Sequence, residues 1–148
     1  MSAQENAAAR EQILRRSADA WNSQNADAYA ALYVADGIVY DPFNPQGIRG
    51  QAAIAQNVRD LVTAFPDLRF THDSLLVQGD TFAAEVVLRG THSGPLAGPA
   101  GIVPPTGRSL ELRGAAVGRF DAQDRIVEER RYFDTMGMLR QLGLLPES

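Results

Sequence analysis

At Phe65-Pro66-Asp67 the apolar pattern of this chain changes period, and that change constrains the fold more than any other feature. Before it, Ile54, Val58, Leu61, Val62 and Phe65 recur at the spacing of one helix face. Pro66 ends that helix, because the residue before a proline is pushed out of the helical region. After it, Phe82, Ala84, Val86 and Leu88 alternate with Thr81, Ala83, Glu85 and Arg89, the period of a strand with one buried face. A helical half followed by a stranded half predicts an α+β domain, with helices on one face of a mostly antiparallel sheet. At 148 residues, a single domain over 1-148 is sufficient.

The helical half holds two earlier elements. Ile13, Leu14, Ala18 and Trp21 place an amphipathic helix over Glu5 to Ser23. Asp27 then caps a short second helix carrying Tyr29, Leu32 and Tyr33, which stops at Asp36-Gly37 and hands over to a brief strand, Ile38 to Asp41. In the stranded half, Gly79-Asp80 forms a two-residue hairpin between Leu68 to Gln78 and the strand of Phe82. A second hairpin turns at Asp121 to Asp124 and joins Ser109 to Phe120 with Arg125 to Phe133. A last helix, Thr135 to Leu142, stops at Gly143. Such a curved sheet of four or more strands wraps a pocket. The segment Gly94 to Gly107, with four glycines and four prolines, reads as a rim or lid over its mouth, or as a dimer-contact arm.

Composition removes several function classes. The 14 Lys and Arg against 18 Asp and Glu leave no basic footprint for a phosphate backbone, so nucleic acid is not an expected partner. Without cysteine there is no disulfide, thiolate nucleophile or Cys-ligated metal. No apolar run approaches the roughly 20 residues of a spanning helix, and the first residues lack the pattern of a signal peptide; a cytoplasmic protein with no membrane partner is expected. No phosphate loop, nucleophile elbow or dinucleotide fingerprint implies a nucleotide cofactor. The two histidines do not suggest a metal site. Across a two-residue hairpin His72 faces Val87 and His92 faces Asp67, which separates the rings by about 17 Å. His92 shares the face of Phe82, Ala84, Val86 and Leu88 and is expected to point toward the cavity, whereas His72 is expected at the surface.

Five phrases stand in order along the chain: Ala20-Trp21-Asn22, Phe65-Pro66-Asp67, Gly90-Thr91-His92-Ser93-Gly94, Pro104-Pro105-Thr106-Gly107-Arg108, and Met138-Leu139-Arg140-Gln141-Leu142-Gly143. Together they resemble the SnoaL-like polyketide cyclase branch of the nuclear transport factor 2-like superfamily, with a more distant likeness to ketosteroid isomerase and limonene epoxide hydrolase. The resemblance implies a cone-shaped curved sheet packed by three N-terminal-half helices and a short C-terminal helix. It also implies a deep apolar pocket, a homodimer, and acid-base chemistry without a cofactor on a hydrophobic oxygenated small molecule such as a polyketide or terpenoid.

The candidate catalytic residues are Asp41, Asp134 and His92. Asp41 leaves a strand between apolar neighbours, where burial suits a general base, and it matches the proton-shuttling Asp that ketosteroid isomerases carry in an equivalent Asp-Pro phrase. It equally suits an Asx turn before Pro42. The oxyanion donors of those enzymes fall at Ser17 and Ala116. Asp134 follows Arg131-Tyr132-Phe133 in a phrase similar to one holding the acid of limonene-type epoxide hydrolases, whose other triad members fall near Val86 and Leu88; it also suits the cap of the helix from Thr135. The Asp and His of the cyclases fall at Arg131 and near Val117, so Arg131 becomes a candidate to bind an anionic or enolate oxygen. Trp21, Tyr33, Phe43 and Phe65 are candidate pocket walls or core. Isomerisation or cyclisation, epoxide opening, and non-catalytic ligand binding are the readings left open. Val87, Val117 and Val127, alternating with charged residues, mark the expected dimer face.

Overall fold

In the computed structural model, which describes residues 2–98 and 100–146, the chain opens with α1 (Ala3–Asn22). Its first turn is a capping box: Ser2 Oγ accepts the Glu5 N–H, and Glu5 accepts the Ser2 N–H. Asn25, not Asp27, caps α2 (Ala26–Ala30), its side chain accepting the Ala28 N–H. This helix is shorter than its spacing suggests, because Tyr33 already begins strand β1 (Tyr33–Asp41). The Leu32 carbonyl, which a continuing helix would use internally, instead accepts the N–H of Ile126 across the sheet. Tertiary pairing thus overrides a helical spacing.

β2 (Asn44–Arg49), which the local sequence does not announce, folds back on β1, and Pro45 is tolerated there because β2 is an edge strand. The remaining elements are α3 (Gln51–Ala64), β3 (Arg69–Gln78), β4 (Thr81–Thr91), β5 (Leu96–Gly98), β6 (Gly101–Val103), β7 (Ser109–Phe120), β8 (Ile126–Phe133) and α4 (Thr135–Gln141). Six strands form one curved sheet in the order β2-β1-β8-β7-β4-β3, antiparallel except for the parallel β1–β8 pair, and the three N-terminal-half helices wrap it. β5 and β6 make a separate two-stranded hairpin inside the segment expected to form a rim. No described helix is long and apolar enough to cross a membrane.

Side chains of Phe82, Ala84, Val86 and Leu88 do point to the concave face, and their β7 partners Gly118, Ala116, Gly114 and Leu112 share it. The β3–β4 hairpin turns at Gly79, which takes a positive φ of 60° as a tight turn requires. Its register then slips: Ser74 faces Glu85, but His72 faces Val86 rather than Val87. The extra residue at Asp73 is a β-bulge, and it moves His72 from the expected outer face to the concave one. The outer face also departs from expectation at Val87, which is only 1% exposed. Arg113, opposite it, extends to Asp73 and Glu111, and Arg89 also reaches Glu111, so ion pairs lie over Val87.

Two side chains close the ends of the cone. Arg10 of α1 donates to Asp124 Oδ1 at 2.9 Å and to the carbonyls of Asp121 and Gly79, so one guanidinium ties both hairpin tips to the first helix. Asp67, of the Phe-Pro-Asp phrase, accepts the Thr91 N–H and hydroxyl at 2.7 and 2.8 Å; these bonds hold its carboxyl below the usual carboxylate range.

Candidate functional site

The concave face encloses a cavity of about 570 Å³. Its walls are largely apolar, from Leu14 and Trp21 of α1, Phe65 behind α3, Phe70 of β3, and Phe82 and Leu88 of β4. Opposite Glu129, Arg131 and Phe133 on β8, strand β7 offers only Gly118, Ala116 and Gly114. Small residues there leave room over the sheet for the long side chains of β8. A Cβ on Gly118 would collide with the Phe82 ring and the Glu128 carbonyl, so the narrowness of β7 at this point is required by packing.

One end of the cavity is polar. Arg131 Nε donates to Glu129 Oε2 at 2.9 Å, Nη1 to Asn57 Oδ1 at 2.9 Å, and Nη2 to the Tyr29 hydroxyl at 2.8 Å. The Tyr29 and Tyr33 hydroxyls lie 2.8 Å apart, and each reaches Glu129 Oε2 at 3.2 Å. The Arg131 guanidinium also sits over the rings of Trp21 and Tyr29, at 5.7 and 5.9 Å from their centroids. The side chains of Arg131 and Glu129 are 16% and 12% exposed, so the pair is largely desolvated while still facing the cavity.

Burial, with Glu129 adding and Arg131 opposing, pushes the Tyr29 phenol up to about 12, and burial followed by Glu129 raises Tyr33 well above its ordinary value. Both stay neutral donors at physiological pH. Burial alone would lower Arg131, but Tyr29, Glu129 and Tyr33 around it more than offset that, and its pKa is raised; it remains a cation. His72 lines the same cavity, its ring edge-on to Phe70 at 5.0 Å; burial lowers its pKa, Glu129 opposing, so the imidazole is neutral near pH 7.

Of the residues singled out in the sequence, Trp21, Phe43, Phe65, Asp41 and Arg131 line the cavity. Tyr33 stands behind it, fully buried, as a support of Tyr29 and Glu129. Asp41 follows Tyr40, which is in register with Arg130 on the parallel β1–β8 pair, so Asp41 and Arg131 leave the sheet on the same face. Its carboxylate closes an Asx turn: Oδ1 accepts the N–H groups of Phe43 and Asn44 at 2.8 Å, and Asn44 Nδ2 reaches both oxygens.

Two candidates lie elsewhere. Asp134 is exposed, caps α4 through the Gly137 N–H at 2.9 Å, and is not among the residues lining the cavity. His92 has the expected strand parity but packs against Phe65, ring centroids 5.5 Å apart, and it is Phe65 that faces the cavity. His92 Nδ1 lies 3.0 Å from Thr106 Oγ1 and accepts the Thr106 N–H at 3.3 Å, which secures the base of the β5–β6 hairpin; burial lowers its pKa. Among the described residues no cluster of metal-ligating side chains occurs.

Tyr29, Asn57, Glu129 and His72 are functional candidates that the sequence reading misses. A usable signal existed for Glu129: it shares strand parity with Arg131 and Phe133.

Residues 11–142 match the family model of the SnoaL-like polyketide cyclase. Among solved structures, IdmH from Streptomyces antibioticus, provisionally assigned as a polyketide cyclase, is 28% identical over 90% of this chain and 98% of its own, with a TM-score of 0.74. AclR from Streptomyces galilaeus, provisionally assigned as a hydroxylase, is 24% identical over 94% and 98%, with a TM-score of 0.78. A SnoaL-like protein from Jannaschia sp. CCS1 is 18% identical over 95% of both chains, with a TM-score of 0.81. A search of curated proteins returns no match.

Proposed function

Because the chain belongs to the SnoaL-like polyketide cyclase family, whose relatives include cyclases and isomerases of small molecules, we propose that it is an acid-base enzyme, an isomerase or cyclase, acting without a cofactor on a hydrophobic oxygenated compound of polyketide or terpenoid kind. The observation that carries this reading is the juxtaposition of about 570 Å³ of apolar cavity with one polar end. There Glu129 and Arg131 are paired and held by the neutral Tyr29 hydroxyl, and Asp41 is a further carboxylate among the cavity-lining residues. Apolar walls select a hydrophobic ligand, and the polar end supplies proton acceptors beside a fixed cation, as enolate chemistry requires. No observation favours epoxide opening through Asp134, which caps a helix outside the cavity.

The test is proton movement. The protein is incubated in D2O with a panel of polycyclic and terpenoid ketones, and deuterium uptake or a rearranged product of equal mass is sought by mass spectrometry. Uptake above the buffer rate for at least one compound is expected. Binding of panel members with no proton moved on any would leave a ligand-binding protein instead.

Homodimer formation belongs to the same proposal. On the outer face Leu76, Val117 and Tyr132 are 65%, 39% and 55% exposed, and register brings Leu76, Ala83 and Val117 into one row across β3, β4 and β7. A dimeric mass in solution is expected, and Val117→Asp should shift it toward the monomer.

A further inference from the structure

The polar end of the cavity has unused valence on two adjacent groups. All three hydrogen bonds to Glu129 fall on Oε2; among the described residues none reaches Oε1, although the side chain faces the cavity. A guanidinium has five N–H groups, and three of those on Arg131 are committed to Glu129, Asn57 and Tyr29. One N–H on each Nη remains. The two residues are i and i+2 on β8 and lie on the same face, so an uncommitted acceptor and two uncommitted donors belong to neighbouring side chains in a largely desolvated corner.

We infer that Glu129 is the proton acceptor of this cavity, that Arg131 holds the oxygen on which charge develops, and that the ligand is an uncharged carbonyl compound with an acidic C–H beside the carbonyl. This rests on the acid-base reading above and deepens it by naming the residue and the ligand class. The ligand's carbonyl oxygen accepts from the two free Arg131 N–H groups. Glu129 Oε1 takes the proton from the neighbouring carbon, the C–H electron pair becomes the new C=C bond, and the carbonyl π pair moves onto oxygen as the enolate. Returning that proton to another carbon completes an isomerisation, and attack of the enolate carbon on a second carbonyl of the same molecule closes a ring. Neither path consumes a further reactant. Tyr33 behind Glu129, and Tyr29 and Asn57 at the cavity wall beside Arg131, are hydrogen-bonded to these two groups and hold them in place, and so are positioning residues.

The same geometry excludes free carboxylates. Arg131 is already neutralised by Glu129, and the charged residues lining the cavity are Asp41, Asp60 and Glu129 against Arg131 alone. An anion seated on Arg131 would share it with a carboxylate in a dry site, where like charges repel strongly.

The experiment uses two probes of similar ring size, 2-tetralone as the neutral enolisable ketone and 2-naphthoate as the anion. Binding is read at pH 7 from the indole N–H signal of Trp21, the only tryptophan and a cavity wall, and exchange from deuterium uptake beside the tetralone carbonyl. Wild type should take up the ketone and not the naphthoate, and should accelerate exchange. Glu129→Gln should slow exchange by about 100-fold or more. It should also gain naphthoate affinity by about tenfold or more, because Arg131 is then without its counter-ion. If Arg131 left alone impairs folding, the double variant Glu129→Gln with Arg131→Gln carries no buried charge and should show neither exchange nor naphthoate binding. Naphthoate entering wild type as readily as Glu129→Gln would overturn the ligand class. Exchange surviving in Glu129→Gln or the double variant would overturn the assignment of Glu129 while leaving the acid-base reading standing. Wild type binding the ketone without exchange, with naphthoate still gained by Glu129→Gln, would overturn the acid-base reading and the proton transfer but keep the ligand class.

Discussion

Raising the pH tests whether the polar end of the cavity is as buried and as coupled as its geometry states. The Tyr29 phenol stands at about 12 in the folded chain, chiefly through burial, against an ordinary value of about 10 when unfolded. Below pH 10 both states hold the proton, and the contribution of Tyr29 to stability is fully present. Between pH 10 and 12 the unfolded chain gives up that proton while the folded chain keeps it, so stability falls by about 1.4 kcal/mol per pH unit, or about 3 kcal/mol across the window. Tyr33, raised well above its ordinary value and fully buried, falls in the same direction and extends the loss to higher pH. Urea unfolding followed by Trp21 fluorescence at pH 9, 10 and 11 measures the slope, and tyrosinate absorbance records when the phenols ionise. Tyr33→Phe should reduce the slope. At neutral pH it should cost about 1 to 2 kcal/mol, since it deletes a donor to a carboxylate, and at about 0.3 kcal/mol per degree for a chain this long the melting temperature should fall by about 3 to 6 °C. A wild-type slope unchanged by Tyr33→Phe, or tyrosinate appearing in full before unfolding, would refute the network as the source.

Asp134→Ala should lower stability by about 1 kcal/mol through the lost cap, whereas Asp134→Asn should melt near wild type and leave exchange unaltered. Asp41→Asn keeps the Asx turn, because an amide oxygen accepts the same N–H groups; thermal melts should barely move, and exchange should persist if Glu129 is the proton acceptor. Gly94→Ala should cost about 3 kcal/mol or more in a denaturant titration, because the added Cβ would collide with the Thr63 carbonyl at the end of α3, where the Gly94 N–H donates to Ala64 O. Acid should destabilise the chain progressively below about pH 6.5, because His72 and His92 are held neutral by burial and the unfolded state binds those protons first; His92→Phe should flatten part of that slope in melts between pH 5 and 7.

The fold was readable wherever a local period decided it. The face of Ile54, Val58 and Leu61, the alternation of Phe82 to Leu88, and the Gly79-Asp80 and Asp121 to Asp124 turns all lie where expected. Failures occurred where long-range pairing outweighed local preference. Tyr29, Leu32 and Tyr33 have helical spacing, yet the Leu32 carbonyl bonds Ile126, and β2 exists only because β1 offers it an edge. One inserted residue at Asp73 was enough to misplace His72, since a strand's side chains change face with each step and nothing in Thr71-His72-Asp73-Ser74 announces a bulge.

The site was less legible for a related reason. Glu128-Glu129-Arg130-Arg131 reads as a solvated charge run, but a strand divides such a run between two environments. Glu128 and Arg130 pair with each other on the outer face at 2.7 Å, beside Tyr40. Glu129 and Arg131 form the same kind of pair inward, at 2.9 Å, where burial converts a weak surface contact into a rigid donor and acceptor set. Identical residue types one position apart therefore take different roles, and only their parity relative to Phe133 and Val39 separates them. That parity was available in the sequence. What it could not supply were the inward partners Asn57 on α3 and Tyr29 on α2, more than 70 residues away. The chemistry of Glu129 depends on them: Tyr29 and Tyr33 reach Oε2, Asn57 and Tyr29 take two of the guanidinium donors and Glu129 itself takes a third, which leaves Oε1 and one N–H on each Nη uncommitted among the described residues.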